Sequence, residues 1–427
     1  MARTPRGLSV ARGVFLTVIA RYGRVASALG TAVITARALG PSDRGLYFFI
    51  LTIATLLAHL GHLGLYSTNI YQVAKSPQLA GTLASNSLWV SVVVGGLGGL
   101  CVVALLDATG SFVVPAITYW AAPALAIALL YWLLIAPILL GLERFQPYSI
   151  IEIGTSVLLL AAVAVAALID PTLGGLLFAT ASASLAATLL ILRFVQTRLG
   201  RGFGFGRQAF RAGLAFSAKA YLLSVLGFFV LRSGVFLLLE FSGPDDVGYF
   251  SVAVQIHDAL ILLPASVALV FFPRLVTDVA GRWSVTLRLL GVVAVTTTIV
   301  AMVVAVVAGP AVRLAFGEDF EPAVPVVRWI LPGVVAASLC SVLSSYLTAI
   351  GIPWQVLASW LLAVGTAAVA SVVLIREEGA EGAAAAMSIS YSVLLVCLLG
   401  TAFRYRGFAE HPGSGTVHAQ AVGGGEQ

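Results

Sequence analysis

The sequence predicts an all-α integral membrane protein of about twelve transmembrane helices, set out as two six-helix lobes in a parallel repeat. Three observations predict it. The chain is 60% hydrophobic and 10% charged, with a mean hydropathy of +1.03, where an ordinary soluble domain carries about 25% charged residues. Twelve apolar stretches reach the ~20 residues that cross a bilayer. An eight-residue segment also returns in the second half of the chain. Gly40-Pro41-Ser42-Asp43-Arg44-Gly45-Leu46-Tyr47 is matched by Gly243-Pro244-Asp245-Asp246-Val247-Gly248-Tyr249-Phe250, with Gly, Pro, Asp and Gly identical.

The expected spans are 14-36, 46-70, 83-106, 112-140, 150-169, 173-195, 213-239, 247-272, 284-308, 324-349, 353-375 and 382-403. Arg3, Arg6 and Arg12 precede an apolar run of full spanning length, with no small-residue cleavage site after a short core. That run reads as a retained first span. Asp170-Pro171 is the only punctuation between spans five and six, and Pro and Asp both suit a helix boundary. Gly95-Gly96-Leu97-Gly98-Gly99 lies inside span three, where glycines signal close helix packing. Cys101, Cys340 and Cys397 all fall in apolar runs without disulfide or metal spacing, and read as small buried hydrophobes.

The repeated Gly-Pro segments follow spans one and seven. Six spans separate them, so the two halves share one orientation. Each reads as a tight turn. Pro cannot continue a helix, Asp can cap the next one, and Gly permits close approach. A weaker echo pairs Gly141-Leu142-Glu143-Arg144-Phe145-Gln146 after span four with Ile350-Gly351-Ile352-Pro353-Trp354-Gln355 after span ten. The expected division is 1-195 for the first lobe, 196-212 for a basic linker with Arg198, Arg201, Arg207 and Arg211, 213-403 for the second lobe, and 404-427 for a disordered tail.

Placing both termini in the cytoplasm puts fifteen of the 24 Lys and Arg residues in cytoplasmic segments and five in external ones. This satisfies the positive-inside rule, locates the chain in the cytoplasmic membrane and explains the net charge of +6 without nucleic acid. The polybasic linker suits anionic lipids of the inner leaflet.

Four cations remain deep inside spans, more than five residues from either end: Arg21, Arg24, Lys219 and Arg232. A charge at membrane depth costs about 3 kcal/mol on insertion scales, so such residues face cavities. Arg21 and Arg24 are spaced i,i+3 and share a face. Arg21 lies about 10 Å and Lys219 about 9 Å from their span starts, at 1.5 Å per residue. In a parallel repeat they oppose each other, and a cationic cluster there suits an anion such as pyrophosphate. Arg232 lies about 220° around the helix from Lys219 and joins it only if span seven turns, as at Gly227. Each cation also has a plain reading as a side chain snorkelling to the interface. His257 and Asp258 are candidates for a coupling ion, or Asp258 for an ion pair with a basic residue. His59 and His62 have i,i+3 spacing but no third ligand, so a hydrogen-bonded pair is expected rather than a metal site. Glu152 is placed to pair with Arg144. No phosphate loop, nucleophile elbow or paired-carboxylate signature appears, and no cofactor is expected.

The segment Ala36-Arg37-Ala38-Leu39-Gly40-Pro41-Ser42-Asp43-Arg44-Gly45-Leu46-Tyr47 resembles the first loop of polysaccharide flippases. These are the O-antigen and exopolysaccharide exporters of the multidrug/oligosaccharidyl-lipid/polysaccharide superfamily. Phe272-Pro273-Arg274-Leu275, Phe316-Gly317-Glu318-Asp319-Phe320 and Ala349-Ile350-Gly351 resemble the same family. The resemblance implies a two-lobe transporter, not an enzyme, that moves a polyprenyl-pyrophosphate-linked oligosaccharide between leaflets. It also implies other polysaccharide-assembly proteins as partners. Two alternatives stay open: a multidrug cation antiporter of the same superfamily, and a membrane enzyme such as a ligase or polymerase. An acidic cavity would mark the first and a large external loop the second. The longest external gap, 309-323, is short for such a loop.

Overall fold

The computed structural model describes residues 6–110, 115–199, 204–216 and 218–406. Helix α1 (Arg6–Gly61) carries spans one and two, which part at Gly40, where φ is 70° and ψ 179°. Unbroken, its 56 residues would reach about 84 Å, far beyond a hydrocarbon core of about 30 Å. Span two breaks again at Leu63 and Gly64, both at positive φ, and resumes as α2 (Leu65–Lys75). Span three is α3 (Ala80–Val90), a π-helical stretch over Ser91–Leu97, and α4 (Gly98–Thr109). Spans four to six are α5 (Thr118–Gly141), α6 (Phe145–Ile169) and α7 (Leu173–Arg198). A short amphipathic α8 (Arg207–Phe216) precedes spans seven to ten, which are α9 (Ala218–Phe241), α10 (Pro244–Thr277), α11 (Arg282–Phe316) and α12 (Ala323–Ala349). Helix α13 (Trp354–Tyr405) holds spans eleven and twelve, divided at Gly379 with φ 53°.

Among the described residues, ten helical runs are long and apolar enough to cross a membrane, and two of them hold two spans each. Twelve spans result, as the sequence predicts. The separation at Asp170-Pro171 is real: α6 stops at Ile169, and the Thr172 hydroxyl caps α7 by accepting from Gly175 N–H at 3.1 Å. Cys340 is buried, whereas Cys101 is exposed on the outside of the bundle and Cys397 is half-buried.

The repeat shows in which helices touch. Span one packs on five and span seven on eleven. Spans two and four, eight and ten, four and six, and ten and twelve pair in the same way. Small residues set the close approaches, because helices in lipid associate through packing rather than hydrophobic expulsion. Gly23 and Gly30 of span one face Ile153 and Leu160 of span five, and Gly227 of span seven faces Trp360 of span eleven. Gly95 and Gly99 lie against the backbone of Ile127 and Pro123 in span four, as the glycine run of span three predicts.

The two lobes meet along spans two, seven and eight, where Tyr47, Phe48, Phe49 and Ile53 share one apolar core with Val235, Leu238 and Phe250. The two Gly-Pro turns meet here as well. Gly45 abuts the Pro244 carbonyl, and Gly248 abuts the Pro41 carbonyl. The turns are therefore interlobe contacts as well as hairpin formers. In the second turn the aspartate does not cap as expected. Gly243, at φ 95°, is the N-cap of α10 with Pro244 following, and no side chain bonds the cap. Asp245 and Asp246 sit in the first turn, where negative charge favours the helix dipole. Beside them, Arg37 of span one donates to the Ala315 and Leu314 carbonyls at the end of α11.

Helix α7 runs to Arg198 and α8 starts at Arg207, both inside the expected linker, while 200–203 lie outside the described residues. Asn86 of span three clasps the linker, donating to Gly206 O at 3.1 Å and accepting from Gly206 N–H at 2.7 Å. Ser85 donates to Gly204 O at 3.0 Å. The expected tail is helical to Tyr405, and its residues from 407 onward lie outside the described residues.

Candidate functional site

Three groups of polar residues stand inside the bundle. The first joins spans one and five. Arg24 Nε donates to Glu152 at 2.7 Å, the carboxylate being 4% exposed and the guanidinium 53%. Arg21, one turn earlier, lies beside the Tyr148 hydroxyl and close enough to Glu152 to act on it electrostatically. One carboxylate therefore faces two guanidinium groups. Glu152 pairs with Arg24, not with Arg144 as the sequence led us to expect. Arg144 sits in the turn before α6, and its guanidinium bonds the Arg198 carbonyl at 3.3 Å instead. The glycines of span one explain the pairing, since they bring it close to span five at the level of Glu152.

The second group lies on spans seven and eight. Arg232 Nη2 donates to Asp258 at 2.8 Å, and His257 Nδ1 is 3.2 Å from the other carboxylate oxygen. Arg232 stands over the Phe48 ring at 5.3 Å and so also touches span two of the opposite lobe. The His257 ring stacks on Tyr391 with centroids 5.9 Å apart. His257 Nε2 and Arg232 Nη1 are buried with no hydrogen-bond partner. The sequence offered Asp258 either a coupling ion or an ion pair, and the ion pair is present.

Helix α9 is continuous from Ala218 to Phe241, so no turn at Gly227 swings Arg232 toward Lys219. Lys219 is exposed near the start of α9. Among the described residues, neither Lys219 nor Arg21 forms an ion pair within 4 Å.

The third group sits at the break in span two. Gly61 packs against Val94 and Leu130. Leu130 is central in α5, and Val94 is in the π-helical middle of span three. The break therefore lies halfway through the bundle. Broken spans at mid-depth are tolerated where neighbours satisfy the freed backbone groups. Here the His62 ring does so, its Nδ1 accepting from Gly64 N–H at 3.0 Å. His62 Nε2 then reaches Ser224 Oγ of span seven at 3.1 Å, and His59 Nδ1 reaches the same oxygen at 3.3 Å. The two histidines share a serine of the other lobe rather than bonding each other. Among the described residues, no cluster of three metal-binding side chains exists. Ser224 was not a sequence candidate. The signal available was the Gly61-His62-Leu63-Gly64 spacing, which marks a helix break inside a continuous apolar run.

A groove of about 510 Å³ lies between spans ten and twelve, lined by Trp329, Pro332, Ile389 and Val396.

The fold recurs in solved transporters. An inward-facing multidrug resistance MATE family transporter of the MOP superfamily matches with a TM-score of 0.66 at 15% identity, over 92% of this chain and 96% of that one. The lipid II flippase MurJ, inward closed, matches with a TM-score of 0.66 at 14% identity, over 93% and 90%. A MOP superfamily transporter from Pyrococcus furiosus, described as having a binding pocket of reverse polarity, matches with a TM-score of 0.67 at 13% identity, over 94% and 96%. No curated relative matches the chain by sequence. The family described as "Polysaccharide biosynthesis protein" matches residues 10–277, well over half of the chain. On the fold of the MOP superfamily transporters, this chain thus belongs to the polysaccharide biosynthesis protein family.

Proposed function

We propose that the protein flips a polyprenyl-pyrophosphate-linked oligosaccharide across the cytoplasmic membrane, both termini facing the cytoplasm, by rocking its lobes about the seam. The charge balance inside the spans carries the reading. Glu152 is taken by Arg24 and Asp258 by Arg232. Among the described residues Arg21 and Lys219, the latter at the exposed start of α9, are left over, so the charges within the spans run to an excess of cations and leave no unpaired carboxylate beside them for a cationic drug. An anion entering low dielectric needs such partners. Arg24 is half-exposed and placed to exchange Glu152 for a phosphate oxygen, to which its planar fork is matched. Arg21, Arg24 and Lys219 hold the pyrophosphate in this reading. Arg232 guards the seam, and the isoprenoid chain stays in the bilayer.

The test is a flipping assay in sealed vesicles. Purified protein should move a fluorescent polyprenyl-pyrophosphate oligosaccharide into the leaflet reached by a membrane-impermeant quencher. A cationic dye should not compete. Movement of the dye but not of the lipid would place the protein among drug antiporters instead.

A further inference from the structure

The break in span two leaves an arrangement that goes beyond cargo handling. Its hydrogen atoms can be assigned from the donors alone. Gly64 N–H can only donate, so His62 Nδ1 must be its unprotonated acceptor. Neutral His62 therefore carries its proton on Nε2, facing Ser224 Oγ at 3.1 Å. That leaves the Ser224 hydroxyl hydrogen for His59 Nδ1 at 3.3 Å. One directed chain results: Gly64 to His62, His62 to Ser224, Ser224 to His59. It crosses from one lobe to the other at mid-depth, and every member is satisfied only when both rings are neutral.

We propose that His59, Ser224 and His62 form a proton-binding joint between the lobes, closed when both imidazoles are neutral and released when either takes up a proton. A proton on His62 Nδ1 sets donor against donor at Gly64. A proton on His59 Nδ1 turns the serine hydroxyl hydrogen out of the chain, leaving it without its acceptor while both rings donate to one oxygen. Either proton also adds positive charge beside a cation that is already present. Arg232 of span seven acts electrostatically on His59, and its countercharge is committed to Asp258 of span eight. The other titratable group facing the pair is Tyr221, whose ring meets His62 edge-on at 5.2 Å and whose hydroxyl bonds the Leu60 carbonyl at 2.8 Å. The remaining walls are apolar: Val94 and Leu130 behind Gly61, and Phe228 against His59. No carboxylate among the described residues pairs with either imidazole to absorb the new charge. The ligand is a proton, and its uptake would couple a proton gradient to lobe movement whatever the cargo is.

The test uses the full chain in lipid nanodiscs, with Cys101→Ala, Cys340→Ala and Cys397→Ala as background and spin labels at Ile70→Cys and Leu222→Cys, one in each lobe. From about pH 8 down to about pH 4, a window wide enough for an imidazole held among apolar walls and beside a cation, the interlobe distance distribution should shift to longer separations. The pair His59→Gln and His62→Gln should abolish the shift, and His62→Gln alone should weaken it. Ser224→Ala should lengthen the distance already at about pH 8. An unshifted distribution in the histidine-bearing chain would overturn the joint. So would an undiminished shift in the double variant, which would point to Asp258, or a Ser224→Ala chain as closed as its parent.

Discussion

Gly45 and Gly248 hold equivalent places in the two repeats and pack reciprocally across the seam. Gly45 lies on the Pro244 carbonyl and Gly248 on the Pro41 carbonyl. A Cβ at either position would overlap the opposing oxygen, and one at Gly45 would also come within 2.9 Å of Gly248 N. Neither obstacle is a flexible side-chain tip, so the lobes themselves must give way.

Gly45→Ala or Gly248→Ala should therefore part the lobes at this end rather than disturb either lobe's interior. Overpacking of a tight contact costs about 1–3 kcal/mol. A cysteine introduced at Ser42 should react faster with an impermeant maleimide in each variant than in the parent. Gly291→Ala, where an added Cβ meets nothing within 4 Å, should leave the labelling rate unchanged. Equal labelling in all three would show that the seam absorbs the methyl group without opening.

The ion pair of spans one and five makes a second prediction. Arg24→Ala leaves the buried Glu152 carboxylate without its partner, and an unsatisfied buried polar or charged group costs about 1–3 kcal/mol. Thermal stability in detergent should fall, and the further change Glu152→Gln should restore most of it. Lipid flipping should stay low in the double variant, because the cation for the cargo is still missing. Arg24→Lys should retain part of it, as charge persists while the bidentate fork is lost. If the double variant flips lipid at the parental rate, the pair is structural only.

The backbone plan was legible because apolar length and punctuation are local. Twelve runs, Asp170-Pro171 and the two Gly-Pro segments needed only sequence order. Partners were not legible to the same degree. Glu152 and Arg144 are close along the chain, whereas Arg24 reaches Glu152 only because Gly23 and Gly30 let span one approach span five. The i,i+3 spacing of His59 and His62 placed both rings on one face. It carried no information that Ser224, a hydroxyl in an apolar span of the other lobe, stood opposite them.

Asn86 supplies a third test. Its amide makes two hydrogen bonds to the Gly206 backbone and so ties the basic segment to span three. A net hydrogen bond contributes about 0.5–1.5 kcal/mol, so Asn86→Ala should release roughly twice that. Limited trypsin digestion after Arg207 should then be faster, while the helical content by circular dichroism stays the same. An unchanged cleavage rate would mean that Ser85, together with Gln72 donating to the Ala209 carbonyl at 3.4 Å, suffices to hold the segment.

Arg232 and Asp258 allow structure and coupling to be separated. Arg232 is 15% exposed and Asp258 34%, so each charge depends on the other in a poorly solvated place. Arg232→Met should destabilise the protein, since it leaves Asp258 with the neighbouring His257 imidazole alone as partner. Arg232→Met with Asp258→Asn should recover stability, because two neutral groups replace a buried pair at little cost. Asp258→Asn alone should still insert, with the amide oxygen accepting from Arg232. If Asp258 and the otherwise unpartnered His257 Nε2 hold a coupling ion besides the proton of the interlobe joint, flipping by Asp258→Asn should lose its dependence on a sodium gradient while keeping its proton dependence and a basal rate. Measured in vesicles with each gradient imposed in turn, an unaltered ion dependence would remove Asp258 from coupling and leave it as the counter-ion that keeps Arg232 at the seam.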